Sequence, residues 1–405
     1  MVLRSVRLRS FRAHDRTECE FAPKVNLLFG SNGAGKTNIL EAIHYLCLSK
    51  GFVSSSDRYI VRRGDAHVEI EGTFSRDEGR ALRVRFAYVP GEGKQFFVNA
   101  APLDRISDIV GRLPVVVYSP QDHALTAGGP DERRRFMDNL LSQARPAYLE
   151  ALLMFRRVLR QRNRLLGKYQ EQRSGPPSAV IAPWDEELIR YGSRLIAIRS
   201  AFAASFSAFL EKAYEEIESV AERPTLRYES IARLDSVDEA DIATLYRQKI
   251  VEEAQNERRR GLTLVGPHRD ELGFRLDDLL VRRYASQGQH RTFGMAMKLA
   301  KYFYLREHTG EYPLLLLDDV FDHLDGRRST AFLQLLQSEK IGQTLITATD
   351  RNKFVESVAF DGVSNRSLYV EEGNVRGIPE EDRQAVGQKD SDRRSGGHAD
   401  TSSSM

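Results

Sequence analysis

A chain of 405 residues has room for two or three domains, or for one domain with a large insertion, which excludes a disulfide-stapled miniature. With 41% hydrophobic and 29% charged residues it has enough apolar material for a core, so wholesale disorder is excluded too. A net charge of +3 permits contact with polyanions without establishing it, and two cysteines, Cys19 and Cys47, supply neither a disulfide framework nor a zinc site and read as buried thiols.

From the start of the chain, Arg4, Arg7, Arg9 and Arg12 interrupt any apolar leader. The longest uninterrupted apolar runs, Pro114–Tyr118 and Pro313–Leu317, fall far short of the roughly 20 residues of a membrane helix. The expectation is a cytoplasmic protein without a membrane span. Val25–Phe29 reads as a short strand ending at Gly30, and Lys36–Leu48 as a helix with Ile39, Ala42, Ile43 and Leu46 at helical spacing. Leu82, Val84, Phe86 and Tyr88 alternate with polar positions, the period of a half-buried strand. From Asp131 to Arg260 the pattern turns helical. Leu188, Tyr191, Leu195, Ile198, Phe202 and Phe209 recur at three- and four-residue steps, Ser174-Gly-Pro-Pro separates two long helices, and Ser236-x-x-Glu239 looks like a capping box opening a third. After Gly261, Leu314–Leu317 and Thr344–Thr347 suit central parallel strands. The expected architecture is an α/β head, residues 1–125 and 261–378, split by an inserted antiparallel helical arm, 126–260. A polar tail, 379–405, is expected to be disordered.

Gly30-Ser31-Asn32-Gly33-Ala34-Gly35-Lys36-Thr37 fits the phosphate-loop pattern. Glycines let backbone N–H groups close around phosphates, a lysine reaches the β/γ oxygens and a hydroxyl ligates Mg²⁺. The motif joins a strand to an amphipathic helix, as that chemistry requires, so ATP with Mg²⁺ is expected on residues 30–37 and Asn38. Pro313–Leu317 followed by Asp318 and Asp319 fits a Walker B strand, with Asp318 for the Mg²⁺ shell and Asp319 toward attacking water. Gln121 stands where a Q-loop glutamine would complete the catalytic set with Lys36 and Asp319, a plain surface loop being the alternative. Ser286-Gln-Gly-Gln289 precedes the apolar helix Met295–Leu305, so Ser286, Gly288 and Gln289 could offer donors to an anion, a flexible loop being the alternative.

The order P-loop, Ser-Gln-Gly-Gln, Walker B is that of ABC-type ATPases, in which the signature completes the site of a second subunit. Asp322 and Asp325 resemble the D-loop of that interface. Asp319 replaces the glutamate of many such enzymes, which favours slow hydrolysis, and the strand Thr344–Thr349 ends in Asp350 rather than a switch histidine.

Val6-x-Leu-x-Ser-Phe-Arg12, Gly30–Asn38, Gly128–Phe136, Leu264–Asp270, Ser286–Gln289 and Leu315–Val320 together resemble the RecF family of bacterial recombination-mediator ATPases, related to SMC heads. The resemblance extends over nearly the whole chain. The segment from Asp131 to Arg260, about 130 residues, is too short for an SMC coiled coil and lacks zinc-hook cysteines. What the resemblance implies is a weak, DNA-stimulated ATPase that dimerises with ATP and clamps double-stranded DNA near gapped junctions. It also implies cooperation with RecR and RecO in loading RecA during repair, replication and recombination. Two other classes stay open: the ATPase subunit of a transporter, disfavoured by the missing histidine and the large arm, and a non-hydrolysing nucleotide-gated scaffold.

For DNA, Arg156, Arg157, Arg160, Arg162, Arg164, Lys168 and Arg173 form one basic stretch, opposed within it by Glu171 alone, and Lys50, Arg58, Arg62 and Arg63 form a second. Such faces bind phosphates by releasing counterions, a solvated surface being the alternative for any one residue. Arg12, Arg133, Arg134, Arg135 and Arg269 could instead serve nucleotide or dimer contacts.

Overall fold

The computed structural model describes residues 1–54, 56–76, 79–172, 175–217, 222–231, 238–321 and 326–377. The D-loop candidates Asp322 and Asp325, Arg173, Ser236 and the tail 379–405 lie outside the described residues.

The first stretch contains β1 (Val2–Phe11), β2 (His14–Glu20), β3 (Val25–Phe29), α1 (Lys36–Leu48), β4 (Val68–Ser75), β5 (Ala81–Val89), β6 (Gly93–Val98), β7 (Ala101–Pro102), β8 (Val115–Tyr118) and α2 (His123–Ala127). The second contains α3 (Pro130–Ala144), α4 (Pro146–Glu171), α5 (Ser178–Ile217), β9 (Pro224–Glu229) and α6 (Glu239–Arg260). The third begins with β10 (Glu271–Leu276), β11 (Leu279–Leu280), α7 (Val281–Tyr284), α8 (Gln287–Thr309) and β12 (Leu314–Leu317). It ends with α9 (Gly326–Gln337), β13 (Thr344–Ala348), α10 (Asn352–Val355), β14 (Arg366–Glu371) and β15 (Asn374–Gly377).

The central sheet runs β15-β14-β3-β13-β12-β8, parallel throughout except for β15 at one edge. Its strands come from both ends of the sequence. Side chains alternate across a strand, so the four leucines of β12 divide: Leu314 and Leu316 enter one core, Leu315 and Leu317 the other. Burial on both faces is why these strands read as unbroken apolar runs. The second sheet, β2-β1-β4-β5-β6-β7, is antiparallel. Between the sheets lies α1, packed on β1, β4 and β5 and also on β8 and β13. A helix covered from two sides must be apolar nearly all round, and Ile39, Leu40, Ala42, Ile43, Tyr45 and Leu46 are all fully buried. Both cysteines are buried, Cys47 on α1 and Cys19 on β2, and burial raises the Cys19 thiol to about 12.

The inserted stretch packs on the head through α5, which lies against α8 and α9. By length and composition α5 is apolar enough to cross a membrane, a property that uninterrupted-run counting misses, but its Leu188, Leu195, Phe202, Phe206 and Leu210 are buried in the protein core. One detail differs from expectation. The stretch is not wholly helical: β9 pairs with β10 in a three-stranded sheet, β11-β10-β9, so the insertion is stitched to the chain that follows it. The N-cap of α6 is Asp238, whose carboxylate accepts from the amides of Ala240 and Asp241.

Arg162 also departs from the DNA assignment. It is buried and donates to Asp185 at 2.7 Å, Glu257 at 2.6 Å and Thr263 at 2.9 Å, locking α4, α5 and α6 together. A cation facing water in a sequence count is here an internal joint.

Candidate nucleotide site

The loop between β3 and α1 is shaped by glycines that no other residue could replace. Gly30 has φ +151°, and a Cβ there would lie 2.2 Å from the carbonyl oxygen of Val370. Gly35, the N-cap of α1 at φ +106°, would bring a Cβ to 2.9 Å from His14 Nε2. His14, which sequence reasoning passed over, is buried behind the loop. Its Nδ1 lies 2.7 Å from the Gly373 carbonyl and its Nε2 3.1 Å from the Gly35 carbonyl, while the Gly373 amide donates to the Ala34 carbonyl at 3.0 Å. Ser31, Asn32 and Gly33 face solvent at the tip, Ala34 and Lys36 are buried, and Thr37 and Asn38 are half-buried. The Lys36 ammonium donates to the carbonyls of Gly30 and Ser31, both at 2.9 Å.

Across the loop, β12 ends in Asp318 and Asp319. Thr37 Oγ1 donates to Asp318 Oδ1 at 2.8 Å, and Thr347 Oγ1 on β13 donates to the same oxygen at 2.9 Å. The Thr347 hydroxyl accepts from the Asp319 amide at 2.9 Å and lies 3.3 Å from Asp319 Oδ1. Burial raises the pKa of Asp318 above the ordinary carboxylate value against the hydrogen bonds of Thr37 and Thr347, and the neighbouring Asp319 charge raises it further. Asp319 is held at φ +50°, a left-handed conformation uncommon outside glycine, at the end of a strand where functional strain is often kept. Thr347 was invisible in the sequence because its partners are 28 and 29 residues away on a neighbouring strand.

Among the described residues no group of three or more His, Cys, Asp or Glu is placed to hold a metal ion. The adjacent Thr37 hydroxyl and Asp318 carboxylate nevertheless suit Mg²⁺. That ion takes one or two protein oxygens and fills its octahedron with water and phosphate.

At the carboxyl ends of β8 and β12 a cleft of about 340 Å³ is lined by Tyr118, Asp122, His123, His290, Arg291 and Asp319. No residue of the 30–37 loop lines it, and neither does Gln121, exposed on the turn before α2. The first turn of α8 forms one wall. Ser286 is its N-cap, with Oγ accepting from the Gln289 amide at 3.2 Å and Gln289 Oε1 accepting from the Ser286 amide at 2.7 Å. Ser286 and Gly288 are exposed, as are the large side chains of Leu279 and Tyr284 just before them. Further along α8, Lys298 donates to the Val117 carbonyl and pairs with Asp122, each at 2.7 Å, tying this helix to β8 and the Gln121 turn. Asp350 is exposed, its carboxylate accepting from the Asn352 amide at 2.8 Å.

Several expected nucleotide or dimer residues make internal joints within this chain. Arg12 pairs with the fully buried Glu41 of α1 at 2.6 Å. Arg133 grips Glu271 with two bonds of 2.6 and 2.7 Å, and Arg134 donates to the Asp270 carbonyl at 2.5 Å. Arg199, unmarked by any motif, lies between Asp138 at 2.7 Å and Asp270 at 3.0 Å. The stretches Gly128–Phe136 and Leu264–Asp270 thus meet in one buried clasp. Arg135 pairs with Glu132 at the surface, and Arg269 is exposed. On α4, Arg156, Arg157, Arg160, Arg164 and Lys168 share one exposed face, with Arg156 paired to Asp138 at 2.8 Å. Lys50 is exposed, and its pKa is lowered by partial desolvation of the ammonium and then by Arg156 and Arg135. The two basic groups expected from the sequence therefore meet at Lys50.

A parallel sheet with a phosphate loop at the end of β3, paired carboxylates at the end of β12 with β13 between them, and a capped helix α8 define an ABC-type ATPase head carrying an inserted helical arm. The family model described as the RecF/RecN/SMC N-terminal domain matches residues 2–371. The chain is 54% identical over 375 residues to the DNA replication and repair protein RecF of Salinibacter ruber, covering 92% of this chain and 91% of that protein. It is 43% identical to the RecF of Chloroherpeton thalassium over 88% of this chain and 97% of that one. A solved structure of the recombination mediator protein RecF with ATP, of the RecFOR pathway, superposes with a TM-score of 0.85 at 28% identity, over 93% of this chain and 97% of the other. An Smc head bound to the winged-helix domain of ScpA shares the fold alone, with a TM-score of 0.53 at 14% identity. The chain belongs to the RecF family.

Proposed function

We propose that this chain is an ATP-driven dimeric clamp on duplex DNA, acting near single-strand gaps as a recombination mediator in the cytoplasm, with residues 1–125 and 261–378 as head and 126–260 as arm. The observation that carries the reading is the hydrogen-bonded chain Thr37–Asp318–Thr347–Asp319, which joins the phosphate-loop helix to the two central strands.

In this reading the backbone of residues 30–37 and Asn38 cradle the triphosphate, and Lys36 leaves the Gly30 and Ser31 carbonyls for the β/γ oxygens. Thr37 and Asp318 would hold Mg²⁺. When bound, that ion neutralises charge between the β- and γ-phosphates. Asp319 orients the attacking water and accepts its proton, and its short side chain makes hydrolysis slow. Ser286, Gly288 and Gln289 of one copy cap the γ-phosphate on the other, and Gln121 joins them as the dimer closes. The exposure of Ser286 and Gly288 at the N-terminus of α8 supports a site completed in trans. DNA lies along Lys50 and the exposed face of α4, and its binding stimulates turnover. Cooperation with RecR and RecO in loading RecA is part of the reading, supported by family membership and by the RecFOR pathway named for the solved relative.

Light scattering with and without ATP, Mg²⁺ and a gapped duplex tests the reading. A monomer that doubles its mass with ATP and then retains DNA is expected; a species that stays monomeric under all conditions would sink it.

A further inference from the structure

Between α1 and β4 the chain makes a single 3₁₀ turn, Asp57–Tyr59, whose flanks are pinned. The Asp57 carboxylate accepts from the Tyr45 hydroxyl at 2.9 Å and pairs with Lys94 at 2.8 Å. Ile60 is fully buried, and its carbonyl accepts from the Arg12 amide at 2.8 Å. Val61 bridges to Phe11, and the Arg62 amide donates to the Ser10 carbonyl at 2.9 Å. Between these anchors Tyr59 stands 71% exposed.

A large aromatic ring left outside the core by a fixed backbone contributes little to folding and presents a flat, preorganised face. The charges around it point to what that face meets. Arg58 and Arg63 are both exposed, and among the described residues neither has a hydrogen-bond or ion-pair partner. The nearby acids are engaged: Asp57 with Lys94, and Asp15 and Asp65 with Arg62 at 3.2 and 3.9 Å. The uncompensated charge flanking Tyr59 along the chain is positive. A polyanion that also carries flat rings satisfies both features.

We infer that Tyr59 is a stacking platform for an unpaired nucleobase, with Arg58 and Arg63 holding the flanking phosphates. The inference deepens the DNA-clamp reading and rests on it. A continuous duplex hides its base faces within the stack and meets only the arginines, whereas the first unpaired base at a gap offers a free face. Stacking on an aromatic side chain is tolerant of base identity, so the site recognises the junction rather than a sequence. Asp57 hangs from Tyr45 on α1, so the platform is fixed to the same helix that begins at the phosphate loop.

The test uses the full chain with ATP and Mg²⁺, a gapped duplex carrying 2-aminopurine at the first unpaired position, and a continuous duplex of equal length. Wild-type protein should change the probe's fluorescence and bind the gapped duplex more tightly than the continuous one. Tyr59→Ala should abolish the fluorescence change and weaken gapped-duplex binding about tenfold, leaving continuous-duplex affinity unchanged. Tyr59→Trp should retain both signals. Arg58→Ala combined with Arg63→Ala should weaken binding to both substrates. A Tyr59→Ala protein that keeps the signal and the gap preference, or loses both substrates equally, overturns the platform while the DNA reading stands. Wild-type protein that binds neither substrate overturns both.

Discussion

The phosphate loop and the signature turn are two halves of one expected site, and they are built in opposite ways. Behind the loop the buried polar groups have partners within the chain: Lys36 on two carbonyls, Thr37 on Asp318, and Gly35 and Ala34 on His14 and Gly373. At the signature, Ser286 and Gln289 cap each other's backbone and Gln289 Nε2 donates to Glu222 at 2.8 Å, while Ser286 and Gly288 face solvent beside exposed Leu279 and Tyr284. A preorganised half needs its lysine and glycines. An open half needs a partner, so damage to the two should separate experimentally.

The largest effect is expected from breaking both halves and then mixing them. Lys36→Met removes the cation that stabilises the β/γ-phosphates and should abolish ATP-driven dimerisation. Ser286→Arg should bind ATP as a monomer yet fail to dimerise. An equimolar mixture can form one intact site from Lys36 of one chain and Ser286 of the other, so light scattering should recover part of the dimer. No recovery, together with lost ATP binding by Ser286→Arg alone, would place the whole site within one chain.

The next effect sharpens the division between holding and turning over. Asp319 sits at φ +50°, a conformation asparagine also tolerates, so Asp319→Asn should fold and dimerise normally. Without a carboxylate to take the proton, phosphate release should fall by about a hundredfold or more. Wild-type release would assign the water to another residue.

A smaller change is expected on the arm. Arg157, Arg160 and Arg164 are exposed, whereas Arg156 is tied to Asp138 and would disturb the Arg199 clasp. Replacing the first three by alanine should lower affinity for all duplex sequences alike and reduce the slope of log K against log salt by up to about three. An unchanged slope would move the DNA path to Lys50 and Arg58–Arg63.

The smallest effect concerns the clasp itself. Burial lowers the His268 pKa from 6.5 to about 4, with Arg269, Arg134 and Arg162 adding to the shift. Below about pH 6.5 an unfolded histidine takes up a proton that the folded one refuses until about pH 4, so stability falls as pH drops through that window. His268 alone accounts for about 2 kcal/mol lost between pH 7 and pH 5. Urea unfolding of His268→Gln should show a loss smaller than wild type by that amount, and equal losses would mean His268 titrates normally.

Much of this molecule was legible in the order of residues. Val25–Phe29, Lys36–Leu48 and Leu314–Leu317 fall where their patterns put them, because helix and strand periodicity and the needs of a phosphate loop are local properties. The family resemblance was legible for the same reason: its motifs are short and contiguous. What local pattern cannot carry is the identity of a distant partner. Arg133, Arg162 and Arg199 look in sequence like the exposed arginines of α4, yet they are buried against Glu271, Glu257 and Asp138, and only packing distinguishes an internal joint from a free cation. Thr347 lies beside Asp318 because β13 pairs in parallel with β12, and His14 lies behind Gly35 because β2 of the antiparallel sheet reaches the phosphate loop. Tyr59 is a residue of ordinary composition until its neighbours are pinned and its ring is left outside. Sequence determined the elements and the chemistry of the loop; tertiary structure decided which charges remained free, because burial and pairing depend on what the fold brings within hydrogen-bond reach.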